Sequence, residues 1–177
     1  FDYGKGRWSW DLPHIHAKGF TDNVVELMVG KLSRLPSATQ KALQQFACMG
    51  NSAAVDMLRM VYQGPVEALH EDLWEAVRSG LIFLGDNSYR FLHDRVQEAA
   101  YSLIPTDLRA EAHLHIGRLL ATHTPQDQRD DAIFEIVNQL NRGSHLISQI
   151  EERERVAELN LIAGRRARNS AAYDSAL

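Results

Sequence analysis

The sequence contains one cysteine, Cys48, and few aromatic residues, which make up 8% of its 177 positions. A single cysteine excludes an internal disulfide and a cysteine-rich zinc site. Because Cys48 lies in the apolar run Phe-Ala-Cys-Met, we interpret it as a buried structural thiol. The scarcity of aromatic side chains favours a core of helices packed through leucine, isoleucine, valine and alanine.

A long apolar run and an excess of basic residues are also missing. No stretch approaches the roughly 18 apolar residues that a membrane-spanning helix needs, and no signal peptide is visible. Lysine and arginine number 19 against 23 acidic residues, a net charge of −4, whereas nucleic-acid binders usually show a basic excess. We therefore expect a cytoplasmic globular protein. Because it opens on Phe1, we also expect it to be a piece of a longer polypeptide.

Motifs of catalysis are absent from the sequence as well. There is no glycine-rich phosphate loop with lysine and serine or threonine, and no serine lies in a recognisable nucleophile elbow. His14 and His16 share a face of an extended segment, but no third metal ligand lies nearby. The sequence therefore predicts neither a catalytic residue nor a metal site in this fragment.

What the sequence does contain is a regular series of helical patterns. In the first half, apolar residues at helical spacing predict helices over about residues 22–35, 37–50, 53–62 and 66–79. Two strand patterns follow, Leu81 to Leu84 and Tyr89 to Leu92, joined by the turn cluster Gly-Asp-Asn-Ser. Helices followed by a β-hairpin are typical of a winged helix-turn-helix, in which the hairpin is the wing.

After Pro105 the pattern is wholly helical. We predict helices over about 107–122, around 133–140 and over 151–170, with a further helix beginning in 171–177. Successive antiparallel helix pairs, with small residues in the last stretch, are similar to tetratricopeptide (TPR) units. The expected fold class is therefore mainly α: a winged helix-turn-helix with a small β-hairpin, followed by TPR-like repeats.

The most informative stretch is the corner after the second predicted strand, YRFLHDRVQEAA. Asp94 is placed to cap the helix that opens there, and His93 lies beside the positive end of the helix dipole. This geometry suits a contact to an anion such as a phosphate. A histidine at this position could equally satisfy a backbone carbonyl, and residue chemistry alone leaves the two interpretations even.

Two other chemical interpretations of the sequence are weaker. The helix in the recognition position of the winged helix has four acidic residues and one arginine, so its net charge of −3 would repel a DNA backbone. Trp74 on that helix is a candidate contact to a partner protein. His93-Asp94 also resembles the metal dyad of HD-type phosphohydrolases, but His113 and His115 are two residues apart and do not share a helix face.

The stretch FLHDRVQEAAYSLIP, with WSWDLPHI, DNVVELMVGKLSRLP and IVNQLNRGSHLI, resembles one region of large bacterial signalling proteins. It is the region after the ATPase module in proteins where a Ser/Thr kinase and a sensor histidine kinase flank an AAA-like, STAND-type ATPase. In STAND proteins the winged helix carries a Met-His-Asp motif, whose histidine contacts the terminal phosphate of bound ADP. Leu92-His93-Asp94 matches two of the three positions, and leucine keeps the apolar character of the first.

The resemblance implies three segments. Residues 1–20 would be a linker or edge segment from the preceding ATPase module, 21–105 the winged-helix domain, and 106–177 the start of the helical repeats. It implies that His93 senses the nucleotide phosphate, with Asp94 as the supporting helix cap.

The resemblance also implies the function. This fragment would be a non-catalytic regulatory part of a protein that is itself an ATPase and protein kinase, and the preceding module would bind ADP or ATP with Mg. Its partners would be that module and proteins held by the repeats, with Trp74, Trp8 and Trp10 as a possible interaction surface and no nucleic acid or membrane. The alternatives are a protein-recruiting scaffold without nucleotide contact and, less favoured, a DNA-binding regulator.

Overall fold

The computed structural model describes residues 24–62 and 64–174, and this part of the chain is mainly helical. It contains eight α-helices: α1 Val24–Leu32, α2 Ser37–Met49, α3 Val55–Val61, α4 Leu69–Arg78, α5 Asp94–Ser102, α6 Arg109–His123, α7 Arg129–Arg142 and α8 Ile150–Asp174. Three short strands accompany them: β1 Ser52–Ala54, β2 Ile82–Leu84 and β3 Ser88–Phe91. None of the helices described is both long enough and apolar enough to cross a membrane.

The three strands form one small antiparallel sheet in the order β1–β3–β2. The predicted hairpin is confirmed, since β2 and β3 pair with Ile82 opposite Phe91. Strand β1 is not predicted by the sequence pattern, and helix α3 begins at Val55 rather than at Ala53. The three residues of β1 include no β-branched or aromatic side chain, so only their pairing with β3 makes them a strand.

The larger of two buried hydrophobic clusters in the described residues holds the sheet and the helices together. Phe46 of α2 stacks on Phe91 of β3 with ring centroids 4.2 Å apart, and Tyr89 is buried beside them. The same cluster of buried side chains includes Leu114 and Leu120 of α6. The described residues on both sides of position 105 therefore share one core, and the division into domains there stays a prediction.

Helices α6 and α7 run antiparallel in close contact. Gly117 of α6 faces Leu140 of α7, while Gly143 at the end of α7 faces Ala110 near the start of α6. A Cβ on Gly117 would lie 2.8 Å from Leu140 Cγ, so this close approach of the two helices depends on glycine.

Helix α8 packs against α7 and is held by polar contacts on both neighbouring helices. Arg118 of α6 makes a bidentate pair with Glu152, at 2.6 and 2.8 Å, and Arg166 donates to Asp131 of α7 at 2.7 Å. The prediction of a new helix starting at Ala171 is wrong, because α8 continues to Asp174 without a break. No glycine or proline lies between positions 165 and 174 to end it.

We predict opposite effects for two glycine-to-alanine substitutions in helix interiors. Gly117→Ala should lower the free energy of unfolding by about 1–3 kcal/mol, because the added methyl group overpacks the contact with Leu140. Gly164→Ala, whose new methyl group would have no atom within 4 Å, should raise it by up to about 1 kcal/mol through helix propensity. Urea unfolding of both variants checks this, and equal shifts would contradict the packing described.

Candidate functional site at the His93 corner

The corner between β3 and α5 is anchored at both ends by buried side chains. Phe91 ends the strand and is 1% exposed, while Val96 in the first turn of α5 is also buried. Between them Leu92, His93 and Asp94 are all exposed. The core therefore holds this corner in place and leaves these three side chains on its surface.

His93 itself caps helix α5. Its backbone is extended (φ −151°, ψ 141°), and its ring Nδ1 accepts a hydrogen bond of 3.1 Å from the backbone N–H of Arg95. The prediction that Asp94 is the cap is therefore wrong, because Asp94 is the first residue of the helix. In that first turn its carboxylate still interacts favourably with the positive end of the helix dipole.

The capping contact decides where the proton of the neutral imidazole lies. A backbone N–H can only donate, so Nδ1 must be the unprotonated nitrogen, and the ring N–H is on Nε2. The side chain is exposed, and Nε2 makes no hydrogen bond to the described residues. His93 thus offers an outward N–H donor at the N-terminal end of a helix, an arrangement that suits an anionic oxygen.

The neighbours of His93 add an apolar side chain and an exposed ion pair. Leu92 is 59% exposed, and its backbone N–H donates to the carbonyl of Leu81. Arg95 donates one N–H to Glu98 on the outer face of α5 at 2.6 Å, and the rest of its guanidinium is exposed. At this corner the imidazole N–H of His93 and the exposed guanidinium of Arg95 are therefore side-chain donors available to an external oxygen.

The described residues bring no cluster of metal ligands to this corner. Among the residues described, no three or more histidine, cysteine, aspartate or glutamate side chains lie close enough to hold a metal ion. His113 is buried and His115 is exposed, which agrees with their separation onto different faces of α6. A phosphohydrolase-type dyad at His93-Asp94 thus has no further ligands from the described residues.

Helix α4 presents a second exposed surface. Trp74 is 56% exposed, while Leu73 and Ala76 face the core. Glu71 lies one turn before Trp74 and is exposed; Arg78 lies one turn after it and pairs with Glu75 at 3.7 Å. Trp8 and Trp10, the other members of the predicted interaction surface, lie outside the described residues, as does the segment 1–20.

The structure also assembles a polar cluster that the sequence did not indicate. His113 of α6 and Gln139 of α7 are buried at 2% and 0% exposure and hydrogen bond to each other. They are 26 positions apart on two helices, so no local pattern pairs them. The sequence carries one signal of it. Gln139 is a polar residue between Val137 and Leu140, at a helical position that this apolar pattern assigns to the core.

Comparison with known proteins gives one match. No protein-family model matches the chain, and no solved structure matches it. The chain is similar to a segment of hybrid signal transduction histidine kinase G from Dictyostelium discoideum, with 30% identity over 221 aligned residues that include 95% of this chain. The chain spans 6% of the length of that protein, so the similarity concerns one segment of a much longer polypeptide.

We predict that removing the His93 cap destabilises the chain and that a small oxygen-bearing side chain restores it. His93→Ala should lower the free energy of unfolding by about 0.5–2 kcal/mol, since the Arg95 N–H loses its acceptor. His93→Ser should recover most of this loss, because a serine hydroxyl at the same position accepts from the first helical turn. Thermal and urea unfolding of the two variants measure this. An alanine variant as stable as the unsubstituted chain would show that the cap contributes nothing.

Proposed function

We propose that this chain is a non-catalytic regulatory segment of a longer signal-transduction protein, and that His93 contacts the phosphate of a nucleotide bound elsewhere in that protein. The observation that carries the proposal is the outward Nε2–H of an exposed His93 whose other ring nitrogen is occupied by the helix cap. The similarity to a segment of a signal transduction histidine kinase supports the signalling context.

The architecture of residues 37–91 supports a winged-helix identity for the first half. Helix α2, strand β1, helices α3 and α4 and the hairpin β2–β3 follow one another in the order of that fold. The first strand pairs with the last, so that the sheet order is β1–β3–β2. In this proposal α4 occupies the recognition position and the hairpin is the wing.

The second half would extend the module as TPR-like helical repeats. The antiparallel packing of α6 on α7, and of α8 on α7, supports stacked helices that bind partners through packed surfaces rather than through a pocket. The preceding part of the protein would be a STAND-type ATPase module that binds ADP or ATP with Mg, within a protein that is also a kinase.

The nucleotide would act by favouring one arrangement of the longer protein. A hydrogen bond from the His93 Nε2–H to a phosphate oxygen of ADP is charge-assisted and worth about 1.5–3 kcal/mol. It exists only while the segment is docked on the nucleotide-binding module. Exchange of ADP for ATP would remove this advantage and shift the population toward an open form.

We predict that His93 substitutions speed ADP release from the full-length protein. Loss of about 1.5–3 kcal/mol corresponds to ADP dissociating roughly 10- to 100-fold faster in both His93→Ala and His93→Ser. Serine keeps the helix cap, so a shared effect reports the lost imidazole rather than lost stability. Stopped-flow release of fluorescent ADP is the measurement.

His115→Ser provides the matched control for the release experiment, because His115 is an exposed histidine on α6. It should leave ADP release unchanged. Unchanged release in both His93 variants would contradict the nucleotide contact and favour the recruiting alternative below.

A recruiting module without nucleotide contact is the second candidate, favoured by Trp74. Trp74 is 56% exposed on a folded helix with acidic residues beside it, and tryptophan is one of the residue types enriched at the anchor points of protein interfaces. The acidic character of α4 disfavours DNA as its partner, since each phosphate contact needs a lysine or arginine.

Footprinting of Trp74 tests the recruiting candidate. If α4 serves only an external partner, hydroxyl-radical footprinting should find Trp74 equally reactive in this chain alone and in the ADP-bound full-length protein, since the side chain is exposed here. Strong protection of Trp74 in the ADP-bound protein, lost on ADP removal, would instead show that α4 belongs to the intramolecular docking surface. Trp8 and Trp10 share one tryptic peptide, which is different from the peptide that contains Trp74, so mass spectrometry quantifies Trp74 independently of them.

A further inference from the structure

A buried polar cluster joins the two halves of the chain. We call residues 24–104 the sheet half and residues 106–174 the helical half. The sheet half contributes the Tyr101 hydroxyl and the Cys48 backbone carbonyl, and the helical half contributes the side chains of His113, Gln139 and Arg142. Two of the hydrogen bonds cross from one half to the other: Tyr101 to His113 at 3.0 Å, and Gln139 to the Cys48 carbonyl at 2.9 Å.

The carbonyl of Cys48 fixes every donor and acceptor in this cluster. A carbonyl only accepts, so the amide NH₂ of Gln139 must face it, at 2.9 Å. The amide oxygen of Gln139 then faces His113 Nδ1 at 2.6 Å, and because that oxygen only accepts, Nδ1 carries the ring proton. The remaining ring nitrogen, Nε2, is the acceptor for the Tyr101 hydroxyl and lies 3.4 Å from Arg142 Nη1.

This arrangement is complete only for a neutral ring. A second proton would place an N–H on Nε2. In the neutral form this nitrogen faces two donors, the Tyr101 hydroxyl and the Arg142 guanidinium. The Tyr101 hydroxyl can turn and accept from this N–H. The guanidinium of Arg142 carries only donors and cannot accept from it. The proton would therefore reverse the Tyr101 hydrogen bond, end the donation from Arg142 and bring two cations together in a buried site that Tyr101 and the Cys48 carbonyl of the sheet half help to cover.

We propose that His113 is a proton-sensitive clasp between the sheet half and the helical half, and that protonation of its ring opens the contact between them. This regulatory device is independent of the nucleotide role proposed for His93. It would let acidification change how the helical half, with any partner bound there, is held against the sheet half.

The charges around the ring favour its neutral form. Arg142 of α7 faces Nε2, and Arg109 at the start of α6 lies over the Tyr101 ring at 4.8 Å. The Glu135 carboxylate accepts from the Gln139 amide at 2.9 Å, on the far side of that amide from the ring. The Cys48 thiol of α2 is neutral, because burial raises its pKa to about 11.

Burial lowers the pKa of His113 below its ordinary value of 6.5; the Gln139 hydrogen bond opposes this shift and the charge on Arg142 adds to it. In an opened form the ring meets water and regains its ordinary pKa. The opened form then binds a proton more tightly than the closed form. The closed form keeps its full advantage above about pH 6.5 and loses it as the pH falls further, by up to about tenfold in the equilibrium for each pH unit.

Cys48 supplies the probe for a test, since it is the single cysteine of the chain, is 5% exposed and lies at the contact between the halves. Its modification by 4,4′-dithiodipyridine, which reacts in acid, is measured from pH 7.5 to pH 5 and divided at each pH by the rate for the urea-unfolded chain. The corrected rate should rise by up to about tenfold per pH unit below pH 6.5.

Two histidine variants provide the controls. His113→Asn retains an amide N–H for the Gln139 oxygen but cannot titrate, so its corrected rate should not depend on pH. His115→Asn changes an exposed histidine two positions away on α6 and should keep the dependence of the unsubstituted chain. A flat profile in the unsubstituted chain, or an equal slope in His113→Asn, would overturn the proposal.

Hydrogen exchange of the unsubstituted chain distinguishes local opening from global unfolding. This test needs no variant, so it remains informative if an asparagine variant folds poorly. Below pH 6.5 the exchange rates, corrected for the intrinsic pH dependence, should rise in the peptides containing Tyr101 and Gln139. Those from the β2–β3 hairpin should keep their protection. Loss of protection in all peptides together would show global acid unfolding and would overturn the proposal of a local opening.

Discussion

The stacking of Phe91 on Phe46, with ring centroids 4.2 Å apart inside the larger hydrophobic cluster, is the contact on which the position of the His93 corner depends. It fixes the end of β3 against α2, so the backbone must turn outward directly afterwards. Val96 returns the chain to the core one turn into α5. The exposed corner that carries His93 is therefore held by buried apolar contacts on both sides, and its orientation does not depend on a bound ligand.

Much of the helical framework could be predicted from the sequence, because apolar periodicity and the breaks at Pro36, Gly80 and Gly143 are local signals. The β2–β3 hairpin was also evident from its turn cluster. Strand β1 was not, since its three small residues become a strand only through pairing with β3, more than 30 positions away. The uninterrupted course of α8 was missed because a run of small residues resembles the start of a new helix.

The candidate site could be predicted in part. The place of His93 between a strand and a helix singles it out, yet the sequence favours Asp94 as the cap, since aspartate is the commoner capping residue. In the structure His93 is the cap instead, because its extended backbone brings the ring Nδ1 to 3.1 Å from the backbone nitrogen of Arg95. The His113 cluster could not be predicted, because its partners come from four separate helices and meet only in the folded chain.

The tautomer of His93 is the property on which the regulatory account depends most directly. Long-range ¹H–¹⁵N correlation spectra of the chain, with ¹⁵N-labelled histidine at neutral pH, report which ring nitrogen is protonated. We expect the neutral His93 ring to be held with its proton on Nε2 and an unprotonated Nδ1 that accepts from the helix. A ring protonated on Nδ1, or one that exchanges between both forms as a free imidazole does, would contradict it.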